Sequence, residues 1–328
     1  MRRGETTGET RLQRARTVLA SLAALVLAGC GSCESLREAN NESVVWIPQE
    51  HGLATLDIDG DGGLDIIGLC ATARWLDPES GPCSICAFDG DDMSLRWRVG
   101  EYDRELTFGI HLAAIAGKVF VVDPQGRAQA LSPQDGSEIA FTQLSERARE
   151  VCALPDGAWV VTADNKTSSF LFDPPTIDPA KRPPHCFHDI EDLRPRLDDM
   201  MPMAHATNGT RGAIVGLHIR GTPYPMAAGF VIPEGMITWK RALSDGDPLL
   251  DSADVPRDVA VSADHVFAGH GHDLVALDPA TGETQWRQPM KSIWALHADE
   301  RRVYVGRWQR LDVLDVDTGK SLGGIGRR

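Results

Sequence analysis

The chain has 328 residues, with 33 Lys and Arg against 47 Asp and Glu, a formal net charge of −14 and a pI near 5.1. An acidic surface of this size repels phosphate backbones and anionic headgroups, which argues against a nucleic-acid partner and against simple electrostatic adhesion to a membrane.

Residues 1–29 read as a processing segment and not as part of the fold. Arg2, Arg3, Arg11, Arg14 and Arg16 form a basic start, and Val18 to Ala28 is an apolar run of 11 residues, too short to cross a bilayer. The run ends Leu27-Ala28-Gly29-Cys30, which resembles the lipobox of bacterial lipoproteins. That resemblance implies a lipid on Cys30, removal of the preceding peptide and a lipid-anchored mature chain. Gly31 follows the cysteine, which by the sorting habit of Gram-negative lipoproteins favours the outer membrane, facing the periplasm, over the other faces of the envelope. Residues 30–42 form the lipidated cysteine and a polar tether, and residues 43–328 form the folded domain. The removed segment carries five Arg and two Glu, so the mature chain is three units more acidic than the whole.

Residues 43–47 read as a lone strand able to complete the last blade of a closed ring. Next comes Asp57-Ile58-Asp59-Gly60-Asp61-Gly62-Gly63-Leu64-Asp65. Carboxylates from Asp57, Asp59, Asp61 and Asp65, with the Gly63 carbonyl, supply the hard oxygens a Ca²⁺ ion takes. An EF-hand would carry a Glu three residues later, where Gly68 stands, and strands rather than helices flank the loop. The segment resembles the calcium loop of FG-GAP and VCBS repeats, which implies one structural Ca²⁺.

Six apolar runs follow in chain order at residues 65–69, 119–122, 158–161, 213–217, 265–269 and 302–306. Each is rich in β-branched or aromatic residues and stops at a turn, so each reads as an inner strand. Partner strands follow at 85–89, 127–131, 169–173, 228–232, 274–278 and 311–315. Asp135-Gly136, Glu234-Gly235, Thr281-Gly282 and Thr318-Gly319 occupy equivalent turns, and Trp239 and Trp286 each lie four residues beyond the glycine. Self-similarity at this period means a radially repeated or stacked architecture.

The pattern Ala276-Leu277-Asp278-x-x-Thr281-Gly282-x-x-x-Trp286 resembles the PQQ-like repeat of quinoprotein-type β-propellers. At 313–319 the match is good, with Gly323 in the tryptophan's place; it is partial at Ala87-Phe88-Asp89 with Trp97 and degenerate elsewhere. The resemblance implies an all-β propeller of four-stranded blades, six recognisable and six to eight possible, in which Trp97, Trp239 and Trp286 dock blade on blade. Residues 174–203 are long enough to hold further strands or an inserted loop.

Cys30 apart, the cysteines are Cys33, Cys70, Cys83, Cys86, Cys152 and Cys186, an even set that suggests disulfides in an exported protein. Strand pairing favours Cys152 with Cys186 and Cys70 with Cys83. The Cys83-x-x-Cys86 spacing lacks the following His of a haem site, since Ala87 stands there. His185, Cys186 and His188, and the pair His270 and His272, are weaker metal candidates.

No local catalytic motif is present: there is no Gly-x-Ser-x-Gly elbow, His-Glu-x-x-His pair or Gly-Lys-Ser/Thr phosphate loop. A quinoprotein dehydrogenase would carry adjacent cysteines in many members and a calcium on its cofactor. Here no two cysteines adjoin, the acidic loop sits in a turn between strands, and the mature chain is short for that class. The reading is a membrane-anchored, noncatalytic propeller that takes a protein partner or an envelope ligand on one of its faces and binds no PQQ. The alternative is a periplasmic PQQ-dependent dehydrogenase.

Overall fold

A computed structural model describes residues 44–45, 52–71, 83–102, 109–173, 175–177, 197, 199–220, 223–232, 234–244, 255–270, 272–307 and 310–326. These residues form six antiparallel sheets taken in chain order, each a four-stranded meander, and the first carries one extra strand. The extra strand is β1 (Val44–Val45), and the first sheet holds β2 (Leu53–Leu56), β3 (Asp65–Ala71), β4 (Cys83–Phe88) and β5 (Leu95–Tyr102). The second holds β6 (His111–Ile115), β7 (Lys118–Val122), β8 (Arg127–Leu131) and β9 (Glu138–Gln143). The third holds β10 (Ala148–Leu154), β11 (Gly157–Thr162), β12 (Thr167–Phe172) and β13 (Pro175–Ile177), and the fourth β14 (Met200–Thr207), β15 (Arg211–His218), β16 (Pro225–Val231) and β17 (Met236–Ala242). The fifth is β18 (Val259–Val261), β19 (Val266–His270), β20 (Asp273–Leu277) and β21 (Thr284–Pro289); the sixth is β22 (Ile293–Ala298), β23 (Arg302–Arg307), β24 (Arg310–Asp315) and β25 (Ser321–Gly326).

The strands read as inner from the sequence are in fact second in each sheet. The first strands, β2, β6, β10, β14, β18 and β22, approach one another around the ring and line its centre. Their apolar signal is weaker because they are partly open to the axis, whereas β3, β4 and β11 are buried along their whole length. A strand covered on both faces reads as a continuous apolar run, while the outermost β5 and β9 alternate.

Apolar clusters fuse neighbouring blades. Ile67, Leu69 and Ile85 of the first pack with Leu112, Val119 and Val121 of the second. Phe120 and Ala130 of the second join Val160, Phe170 and Phe172 of the third. Blades four and five share a cluster, as do five and six. The ring closes where Ile66 and Phe88 of the first blade meet Tyr304, Leu311 and Val313 of the sixth.

Two expectations are corrected by pairing geometry. β1 does not complete the last blade; Val44 and Val45 pair with Ala71 and Cys70 at the end of β3, so β1 extends the first sheet. Cys70 is bonded to Cys86, not Cys83. In an antiparallel ladder, directly opposed residues share a face and neighbours alternate. Cys70 faces Ser84 across the ladder, so Cys86, two residues on, lies on its side of the sheet, and the Cα atoms are 5.8 Å apart. Cys83 points to the other side, into the cluster shared with blade two. Peptide mapping without reduction should recover Cys70 joined to Cys86, and Cys86→Ser should cost about 2–4 kcal/mol by releasing that loop closure; recovery of a Cys70 to Cys83 peptide would reverse the assignment. Cys152 is disulfide-bonded, while Cys186, like Cys30, Cys33, His185 and His188, lies outside the described residues.

Candidate functional site

Two turn devices recur around the ring. In the best-formed copies an aspartate opens the turn and caps its backbone: Asp278 Oδ1 accepts from the amides of Ala280 and Thr281, both at 2.8 Å, and Asp315 Oδ1 accepts from the Thr318 amide at 2.9 Å. The glycine that closes the turn has positive φ, +71° at Gly282 and +67° at Gly319, a region that side chains disfavour.

The tryptophan of one blade then lies on that glycine of the next. A Cβ at Gly282 would come within 2.6 Å of the Trp239 ring, and one at Gly319 within 2.8 Å of the Trp286 ring. Each indole also donates to the same carbonyl position of the neighbouring turn: Trp97 to Pro133 at 2.6 Å, Trp239 to Pro279 at 3.0 Å and Trp286 to Val316 at 2.9 Å. The expected docking role of these tryptophans therefore has a definite geometry, with burial of the ring and satisfaction of its one N–H achieved together.

The sixth blade has Gly323 where the fifth has Trp286. There the corresponding carbonyl of blade one, that of Gly90, is reached by Arg302 from β23 at 2.6 Å, and the same guanidinium contacts Asp91 at 3.2 Å. Gly90 tolerates no side chain, because a Cβ would lie 2.0 Å from the Leu64 carbonyl oxygen. A second tie across this junction is the 2.9 Å hydrogen bond between Thr55 and His297. Burial holds the His297 ring down to about pKa 4, so it is neutral at physiological pH. Arg302 had no signal in the repeat pattern, which locates turns and tryptophans but not their replacements.

The acidic loop sits at the turn between β2 and β3. Asp57, Asp59 and Asp61 each offer an oxygen within 4.8 Å of the others and are the one metal-capable group among the described residues. Part of their capacity goes to the backbone: Asp57 accepts from Gly60 and Gly62, and Asp61 from Gly63. Asp65 stands apart from the three. It is buried, its two oxygens accept from the amides of Ile58 at 2.9 Å and Gly90 at 3.0 Å, and it pairs with Arg96 at 3.1 Å. Burial raises its pKa against those donors.

Arg96 also reaches Asp59 at 2.7 Å and Asp89 at 2.6 Å, so one guanidinium joins two turns of the first blade to β3. Its hydrogen bond is the main cause of the lowered pKa of Asp59. Asp89 was visible to sequence reading as the turn aspartate equivalent to Asp278; Arg96 was not. His270 is buried and His272 exposed, and neither belongs to a metal-capable group among the described residues.

The two faces of the ring differ. One carries the connections from first to second and from third to fourth strands. Every blade sets an exposed carboxylate there, represented by Asp59, Asp135, Asp156, Glu234, Asp264 and Asp317, with Arg301 and Lys320 as exposed cations. The opposite face carries the connections from second to third strands and from each blade to the next. Among the described residues of that face the exposed charges are mixed, with Arg147, Arg149, Lys166 and Lys291 beside Glu101, Glu146 and Asp164.

A closed ring of six four-stranded meanders, docked by tryptophan on glycine at three of its junctions, is a β-propeller. Residues 219–322 match the family model PQQ_2, described as outer membrane protein assembly factor BamB. A comparison with curated proteins found no match. Among solved structures, Sqt1 of Saccharomyces cerevisiae aligns over 87% of this chain and 86% of its own at 10% identity, with a TM-score of 0.53. The computationally designed protein Ika8 aligns over 87% and 90% at 13% identity, with a TM-score of 0.51. BamB from Moraxella catarrhalis aligns over 85% of this chain and 74% of its own at 16% identity, with a TM-score of 0.32.

Proposed function

We propose that this chain is a noncatalytic, protein-binding propeller of the bacterial envelope, held on a membrane through lipid on Cys30. The observation that carries this reading is the match of residues 219–322 to a family described as an assembly factor of outer membrane proteins. The division of labour within the blades supports it. The tryptophans and turn glycines of the repeat are spent on docking blade to blade, so the two faces remain available for recognition. Purification from its own membrane in mild detergent should recover the chain with a stoichiometric protein partner. Recovery without one, together with a bound-cofactor absorbance and alcohol or sugar oxidation after addition of pyrroloquinoline quinone and calcium, would replace this reading with the dehydrogenase.

The same reading includes one structural Ca²⁺ on the first blade. Asp57, Asp59 and Asp61 are the residues that would hold it, and the ion would offset their mutual repulsion. Asp65 and Arg96 support the loop from behind. Because Arg96 already shares Asp59, binding should be weak. Chelation is expected to lower the melting temperature of the native chain and to leave Asp59→Ala unchanged; equal melting of the native chain with and without calcium means that the loop is a turn held by its own hydrogen bonds and Arg96.

A further inference from the structure

We infer that this chain forms a two-fold symmetric dimer in which β9 of one copy pairs antiparallel with β9 of the other, joining the two second blades into one continuous sheet. The contact lies on the rim of the ring and leaves both faces free. It stands apart from the lipid anchor, the calcium loop and the partner proposed above.

An outermost strand exposes backbone donors and acceptors, and folded proteins blunt such edges with cations, proline, short length or broken pairing. The other outer strands of this ring are each blunted. β5 carries Arg96 and Arg98, β17 carries Lys240 and Arg241, and β21 carries Arg287 and Pro289. β13 is three residues long and begins with Pro175, and β25 has glycine at 323, 324 and 326, which weakens it as a strand. β9, Glu138-Ile139-Ala140-Phe141-Thr142-Gln143, has no cation, proline or glycine, and its sheet ends with it.

The backbone of this edge is open. β8 takes the groups of Ala140, Thr142 and Leu144, the last through a 2.8 Å bond from its amide to the Gly126 carbonyl. Alternation along an antiparallel ladder therefore turns the amides and carbonyls of Phe141 and Gln143 outward. Ile139 and Phe141 are 45% and 57% exposed, so two large apolar side chains flank the edge.

The edge is complementary to itself. With Thr142 on the two-fold axis, Phe141 of each copy exchanges both backbone bonds with Gln143 of the other. The two Phe141 rings then lie diagonally on one face of the joined sheet, a span that aromatic side chains bridge, and Thr142 meets its own equivalent, a favourable cross-strand pair. Charge favours a second copy as the occupant. Two chains of formal charge −14 repel wherever like-charged surfaces meet, so they associate only through a neutral patch. β9 supplies one: Glu138, its single charged residue, is held by Arg127 at 2.8 Å, and the same guanidinium lies 4.8 Å from the centre of the Phe141 ring. A cationic partner finds no unpaired carboxylate on this strand.

The full chain in mild detergent is measured by light scattering after size exclusion, with the detergent mass subtracted, and by amide hydrogen exchange across a range of concentrations. The native chain should be a dimer that dissociates on dilution. The amides of Phe141 and Gln143 should exchange several-fold more slowly in the dimer, while those of Ala140 and Thr142, already bonded to β8, stay constant. Phe141→Lys brings like charges together across the axis and should weaken association by about tenfold or more; equal melting of this variant and the native chain, both diluted to monomers, verifies that it folds. Met236→Lys and Leu322→Lys remove side chains just as exposed, at 56% each on β17 and β25, and should leave the dimer intact. A native chain that stays monomeric, a dimer that survives Phe141→Lys, or one that Met236→Lys or Leu322→Lys dissolves overturns the proposal. Slow exchange at Phe141 and Gln143 in a complex of one copy with another protein gives the edge to that protein's strand and overturns it as well.

Discussion

Trp239→Ala should cost about 3–5 kcal/mol in chemical denaturation, the range for loss of a buried indole. The ring is 8% exposed and lies between two glycines: a Cβ on Gly229 of its own blade would sit 2.3 Å from it, and one on Gly282 of the next blade 2.6 Å. Both glycines were shaped around the indole, so its removal opens a slot that neither backbone can fill. The Pro279 carbonyl also loses its donor. The comparison that isolates docking from general apolarity is Phe141→Ala. That ring is 57% exposed and lies against Arg127 on an outer strand, and its loss should fall within about 1 kcal/mol. Equal effects from the two substitutions would mean that the tryptophan does not hold the blades together.

Asp65→Ala is expected to be of similar size, about 3–5 kcal/mol, for an electrostatic reason. The carboxylate serves the amides of Ile58 and Gly90 in a buried setting, and each donor left without a partner costs roughly 1–3 kcal/mol. Arg96 would keep Asp59 and Asp89 but lose its tie to β3. Asp65→Asn keeps an acceptor and should recover part of the loss, whereas Asp61→Ala, in the exposed part of the loop, should cost under about 1 kcal/mol. Urea titrations of the three variants test the ordering. If Asp61→Ala proves as damaging as Asp65→Ala, the loop's stability comes from the converging carboxylates and not from the buried one.

The sequence alone determined the repeat, and through it the fold. Strands such as β3, β11 and β23 are buried along nearly all of their length, so they appear as short apolar runs that turn chemistry separates cleanly. The turns were equally legible, since the backbone of Gly282 or Gly319 needs a positive φ and Asp278 or Asp315 must cap the amides that follow. The three docking tryptophans were recognisable because they recur at one register. What period and composition do not contain is contact between distant parts of the chain. The first strand of each blade was missed because burial there comes from other blades, not from its own pattern. The Cys70 to Cys86 bond was decided by the parity of the ladder, which proximity in sequence cannot convey. Arg302 bonding to Gly90, more than two hundred residues away, was settled only by the closed ring, and the pairing of Arg96 with Asp65 by the packing of the first blade. Local turns and buried strands obey rules written in adjacent residues; ring closure and charge pairing depend on which surfaces the fold brings together.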